Sequence, residues 1–216
     1  GTERNLVETN IIPATWWETG AMFQGEILPG LSYNAAVHSG LKAADGGAVR
    51  GGRQKSANAV AEDGAYTLRL KYTGVPGLEV AATAQYQSEI TQGVAVDDSS
   101  GTLLETHAVY QTGPFAVRAL WASWEIDGDK FDSTGRNEQT GWYIEPSVKP
   151  LEDLGFFTRY SEYNNLAGFS TAEDVESWDY GVNYWLTPRV VLKADYSDVR
   201  STGGNDSLNL GLGWSF

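Results

Sequence analysis

Ten charged residues recur at alternate positions inside short apolar runs. Arg69 and Lys71 fall among Leu68, Leu70 and Tyr72, Asp179 lies between Trp178 and Tyr180, and Lys193 and Asp195 flank Ala194. Glu79, Glu105, Arg118, Glu145 and Arg159 complete the set. Spacing by two puts such residues on one face of a strand and their apolar neighbours on the other. Their chemistry is electrostatic: rows of charge along an aqueous wall bias which ions pass. The alternative is that they pair across strands and only solvate that face. Cations (Arg69, Lys71, Arg118, Arg159, Lys193) and anions (Glu79, Glu105, Glu145, Asp179, Asp195) balance, so no ladder for anions stands out.

Other chemistry finds little support. The chain has no Cys, which excludes a Cys₄ zinc site, a thiol nucleophile and a disulfide framework. His38 and His107 lie in separate runs, both on polar faces, and neither G-x-S-x-G nor H-E-x-x-H occurs. No catalytic residue and no cofactor is expected. Asp127, Asp129 and Asp132 approach a calcium loop but lack its Gly, Asp132 standing at that sixth position, so no metal site is expected. Lys42, Arg50, Arg53 and Lys55 read as a solvated surface loop, with attraction of anions or lipopolysaccharide phosphates as the alternative. A net charge of −13 and a pI near 4.5 argue against a nucleic-acid partner.

The elements that carry the charges are strands. Leu208, Leu210, Leu212, Trp214 and Phe216 alternate with Asn209, Gly211, Gly213 and Ser215. The same period recurs over 31–37, 66–72, 78–87, 178–186 and 192–197, and more weakly over 16–27, 103–112, 115–126, 140–149 and 154–163. About eleven strands result, each roughly ten residues long, enough to cross a bilayer at a tilt. Short turns at Leu28-Pro29-Gly30, 73–77, 112–114, 150–153 and Thr187-Pro188 alternate with longer loops at 42–64, 88–102, 127–139, 164–176 and 199–206.

This succession of short turn and long loop predicts an all-β, antiparallel transmembrane β-barrel in a Gram-negative outer membrane. No run of about 18 apolar residues offers a transmembrane helix, and in lipid only helices and closed barrels satisfy every backbone group. A charge facing lipid at mid-depth costs about 2–4 kcal/mol, so the ten charged residues should line the lumen. Tyr66, Tyr72, Trp178, Tyr184, Trp214 and Phe216 lie on apolar faces, mostly near strand ends, as aromatic girdles require. Bacterial barrels have even strand numbers, so an odd count predicts that strands precede this stretch. A twelfth strand within 1–15 is disfavoured by Pro13 and by the lack of alternation over 10–13.

Three stretches carry a family resemblance: Leu6-Val7-Glu8-Thr9-Asn10-Ile11-Ile12-Pro13, Gly141-Trp142-Tyr143-Ile144-Glu145-Pro146 and Gly181-Val182-Asn183-Tyr184-Trp185-Leu186-Thr187-Pro188. In these the chain resembles the phosphate-selective porins of O and P type, and its ending 208–216 resembles the C-terminal signal read by barrel-assembly machinery. The resemblance implies part of a sixteen-stranded, homotrimeric porin with five strands upstream. It also implies that 1–15 is an extracellular loop segment folded into the pore, with Arg4 and Glu8 near the constriction, and that 16–216 supplies barrel strands and long loops. The phosphate preference is not carried over, because the charges balance.

The expected function is a water-filled channel for passive diffusion of ions or small hydrophilic solutes, set in outer-membrane lipid and lipopolysaccharide. The rivals are a scaffold barrel with a filled lumen and a soluble all-β glycan-binding protein. A soluble protein would turn its apolar faces inward.

Overall fold

The computed structural model describes residues 1–95 and 98–215. Eleven strands form one antiparallel sheet in strict chain order. They are β1 (Gly20–Leu28), β2 (Leu31–His38), β3 (Ala65–Tyr72), β4 (Leu78–Gln87), β5 (Gly101–Thr112) and β6 (Phe115–Ile126). They continue as β7 (Glu138–Leu151), β8 (Leu154–Asn164), β9 (Val175–Thr187), β10 (Val190–Arg200) and β11 (Ser207–Trp214). Every long loop lies at one end of the sheet and every short turn at the other.

Most strands match their sequence expectation within a few residues. The first does not: 16–27 was expected, but pairing with β2 begins at Gly20 opposite His38. Trp16 instead stands edge-on to the His38 ring and donates its indole N–H to Glu18, leaving the ladder before it. At the other end β11 stops at Trp214, and the aromatic Phe216 lies outside the described residues.

The two faces of the sheet are inverted relative to a water-soluble protein. Leu68, Leu70 and Leu210 are exposed, Leu210 by 76%, while Ser161, Ser177 and Asp179 on the opposite face are covered. Burial of apolar area normally drives folding in water. An exposed apolar face running through all eleven strands therefore calls for a lipid surround. On that face Trp142, Tyr160 and Trp178 form a ladder across β7–β9, with centroids 5.2 and 5.0 Å apart, toward the loop end.

What covers the polar face is the chain itself. A short helix, α1 (Leu6–Asn10), packs against β7 and β8. Loop side chains Leu41, Val49, Ile90 and Phe131 cluster with Val7, Ile11, Trp124 and Tyr143 into a small apolar core. Phe131 belongs to a second short helix, α2 (Asp129–Thr134), which takes up two of the three clustered aspartates. Gln87 anchors the loops: its Oε1 accepts from the Leu41 N–H at 2.9 Å, and its Nε2 donates to the Leu41 and Glu89 carbonyls, both at 2.8 Å.

The described strands form an open sheet, not a closed barrel: β1 pairs only with β2, and β11 only with β10. Free strand edges are untenable in lipid, where no water can satisfy their backbone groups.

Candidate channel wall and the segment that crosses it

The ten charged residues share the covered face, where they sort into two groups. On β3–β5, Glu79 sits between Arg69 and Lys71, each 3.8 Å away. His107 joins them, 3.4 Å from Glu79 and 2.6 Å from Glu105. Arg69 Nη2 lies 3.5 Å from the same imidazole. Sequence reasoning gave His107 no role, yet it links two carboxylates on the wall. The available signal was the E-x-H spacing of Glu105 and His107, which sets both on one face of a strand.

The second group crosses β6–β10. Arg159 donates from Nε to Asp179 at 2.9 Å and from Nη1 to Glu145 at 3.2 Å, and all three are buried. Arg118 reaches Glu145 at 3.8 Å but remains largely exposed. Ser197 donates its hydroxyl to Asp179. Asp195 accepts from Asn209 Nδ2 at 3.2 Å, while Lys193 Nζ lies 3.4 Å from the Gly1 carbonyl.

Residues 1–15 run across this second group. The Thr2 N–H donates to Asp195. Asn5 caps α1, its Oδ1 accepting from the Val7 N–H at 2.7 Å, and its Nδ2 donates to Ser161 Oγ at 2.6 Å. Glu8 accepts from the Tyr143 hydroxyl at 2.8 Å, and the Trp124 indole donates to the Ile11 carbonyl at 2.9 Å. Close approach is possible because the wall is small here: a Cβ on Gly141 would sit 3.1 Å from Val7 Cγ1, and one on Gly211 would sit 2.8 Å from Thr2 Cγ2. Arg4 borders a cavity between this segment and β8–β11.

The basic loop differs from its expectation as a merely solvated surface. Arg53 Nη1 donates to the Ala14 carbonyl and to Thr15 Oγ1, each at 2.9 Å, and Arg50 donates to the Thr9 carbonyl. Guanidinium groups suit this task because their fixed fork satisfies several acceptors at once. The loop clamps residues 9–15 from above.

An apolar face outward, a charged face inward and all long loops at one end define the geometry of a porin wall. A model of the Gram-negative porin family matches residues 23–204. The chain belongs to the Gram-negative porin family. It is accordingly an outer-membrane protein of a Gram-negative bacterium, and porins are channels rather than enzymes.

An uncharacterized protein of Aquifex aeolicus (strain VF5) is 26% identical over 251 residues, covering 99% of this chain and 56% of that protein. A porin structure refined at 1.8 Å superposes with a TM-score of 0.63 at 13% identity, covering 92% of this chain and 62% of that one. OccK5 (OpdH) of Pseudomonas aeruginosa gives 0.56 at 14% identity, over 92% of this chain and 60% of that one. OmpT of Vibrio cholerae lacking loop L8 gives 0.55 at 15%, over 90% and 61%. At such identities the structures speak for the fold. This porin chain spans about three fifths of the length of these relatives.

Proposed function

We propose that the chain builds most of the wall of a water-filled channel for passive diffusion of ions or small hydrophilic solutes. The observation that carries the reading is the inverted sheet: exposed leucines on one face, and Arg69, Lys71, Glu79, Glu105, Arg118, Glu145, Arg159, Asp179, Lys193 and Asp195 on the other. These ten line the aqueous side. Residues 1–15 narrow the path, with Arg4 and Glu8 on the segment that crosses it.

The unpaired edges of β1 and β11 favour further strands that close the barrel, with sixteen as the total and three copies assembling in outer-membrane lipid and lipopolysaccharide. Closer kinship with the phosphate-selective O and P type rests on the short motifs at 6–13, 141–146 and 181–188. Phosphate selectivity itself is not favoured. Arg69 and Lys71 share Glu79, and Arg159 is held between Glu145 and Asp179, so no cation of the three lacks a carboxylate and the wall should pass ions of both signs.

The test is conductance of the full-length protein, purified from outer membranes, in planar lipid bilayers. Stepwise, ohmic current with weak selectivity is expected. A correctly folded barrel that passes neither ions nor small sugars would overturn the reading in favour of a scaffold with a filled lumen.

A further inference from the structure

Between residues 3–9 and the inner wall of β8–β11 lies a cavity of about 350 Å³, within the size range of small-molecule sites. We propose that it binds an uncharged, polyhydroxylated solute of monosaccharide size, a station on the diffusion path that rests on the channel reading above.

Three observations point there. The first is Ser177, whose hydroxyl is buried, borders the cavity and has no hydrogen-bond partner among the described residues. Buried polar groups are paired as a rule, so an orphaned hydroxyl on a residue that borders a cavity points to a ligand group as its missing partner. The second is charge. Arg159 is held between Glu145 and Asp179, and Asp179 also accepts from Ser197, so the charged part of the wall is already compensated. An incoming carboxylate would meet Asp179 and Glu3; an incoming ammonium would meet Arg4 and Arg159. The third is the remaining lining. Asn205 offers an amide that both donates and accepts, while Thr9, Ser197 and Asn209, whose donors go to Asn5, Asp179 and Asp195, present oxygens that accept from sugar hydroxyls. Arg4 adds a planar fork of donors that suits two adjacent hydroxyls.

The cavity lies where a permeating solute reaches it early. Its wall includes Ser177, Val199 and Ser207, at the ends of β9, β10 and β11 nearest the long loops, and Asn205 in the loop between β10 and β11.

The experiment titrates D-glucose against the ion current of the full-length protein in bilayers, with D-gluconate in parallel. A saturable fall in current with glucose is expected, and Ser177→Ala and Asn205→Ala should each raise the half-blocking concentration by about fivefold, the worth of one hydrogen bond. A fall that only tracks bulk conductivity, or a block by gluconate at lower concentration than by glucose, overturns the proposal. Equilibrium dialysis of radiolabelled D-glucose against detergent-solubilised protein reads the site without any current. Retention by the wild type that is weakened in Ser177→Ala supports it even if conduction fails, and no retention overturns it while leaving the channel reading intact.

Discussion

Arg159 reaches Asp179 across the β8–β9 pair, Nε to Oδ2 at 2.9 Å, with both residues largely buried on the face that residues 1–9 cross. Glu145 shares the same guanidinium at 3.2 Å. An ion triad placed under a covering segment behaves unlike a rim pair, because removing the shared cation leaves Asp179 buried without a cation and Glu145 with only the exposed Arg118 at 3.8 Å.

Arg159→Met should therefore destabilise the folded protein by about 3–5 kcal/mol. Arg118→Met removes a partner of the same Glu145, yet that side chain is 61% exposed and should cost at most about 1 kcal/mol. Urea unfolding in liposomes, followed by Trp fluorescence, measures both. Equal losses would contradict the burial of Arg159.

The segment over the triad is held by few groups, so its attachment can be weakened selectively. Asn5→Ala removes the cap of α1 and the bond to Ser161, a local loss of about 0.5–2 kcal/mol for the cap alone. Faster proteolytic cleavage within 1–15 and noisier single-channel current are expected, with the thermal transition of the barrel little changed. A current as quiet as the wild type would mean that α1 does not border the conducting path.

Much of this arrangement is legible in the sequence, for reasons that differ by element. β4 and β6 run over the expected residues, 78–87 and 115–126, because alternation leaves only one face fit for lipid. The same parity puts all ten charged residues on one side. It cannot tell buried Arg159 from exposed Arg118, since that depends on where residues 1–9 lie, a contact far away in sequence. The helix α1 escapes periodicity because it has only five residues, although Asn5 and Glu8 stand at the spacing of a capping box. The loop core escapes it too: Leu41, Ile90 and Phe131 are isolated apolar residues that acquire meaning only when three loops meet.

The β3–β5 group is more open to water, and its effect should fall on ions rather than on folding. Arg69→Glu places a second carboxylate beside Glu79 and removes one of its two cations. The reversal potential in a salt gradient should move toward cations, and Lys193→Glu should do the same. Heat-modifiability on gels should remain that of a folded barrel. Loss of assembly in either variant would count against a lumen-facing side chain at that position.

The assignment of faces has its own test in two neighbouring positions. Leu68, on the middle of β3, is exposed on the apolar side, whereas Asn34 on β2 pairs in register with Arg69 on the other. Leu68→Arg should cost about 2–4 kcal/mol, the charge being forced into hydrocarbon near mid-depth. Asn34→Arg puts the same group into the aqueous side and should leave stability within about 0.5 kcal/mol, in the range of solvated surface changes. Unfolding in lipid vesicles distinguishes them. If Asn34→Arg were the more damaging, the inside and outside of the wall would have to be exchanged, and the charged rows would lose their place on the channel.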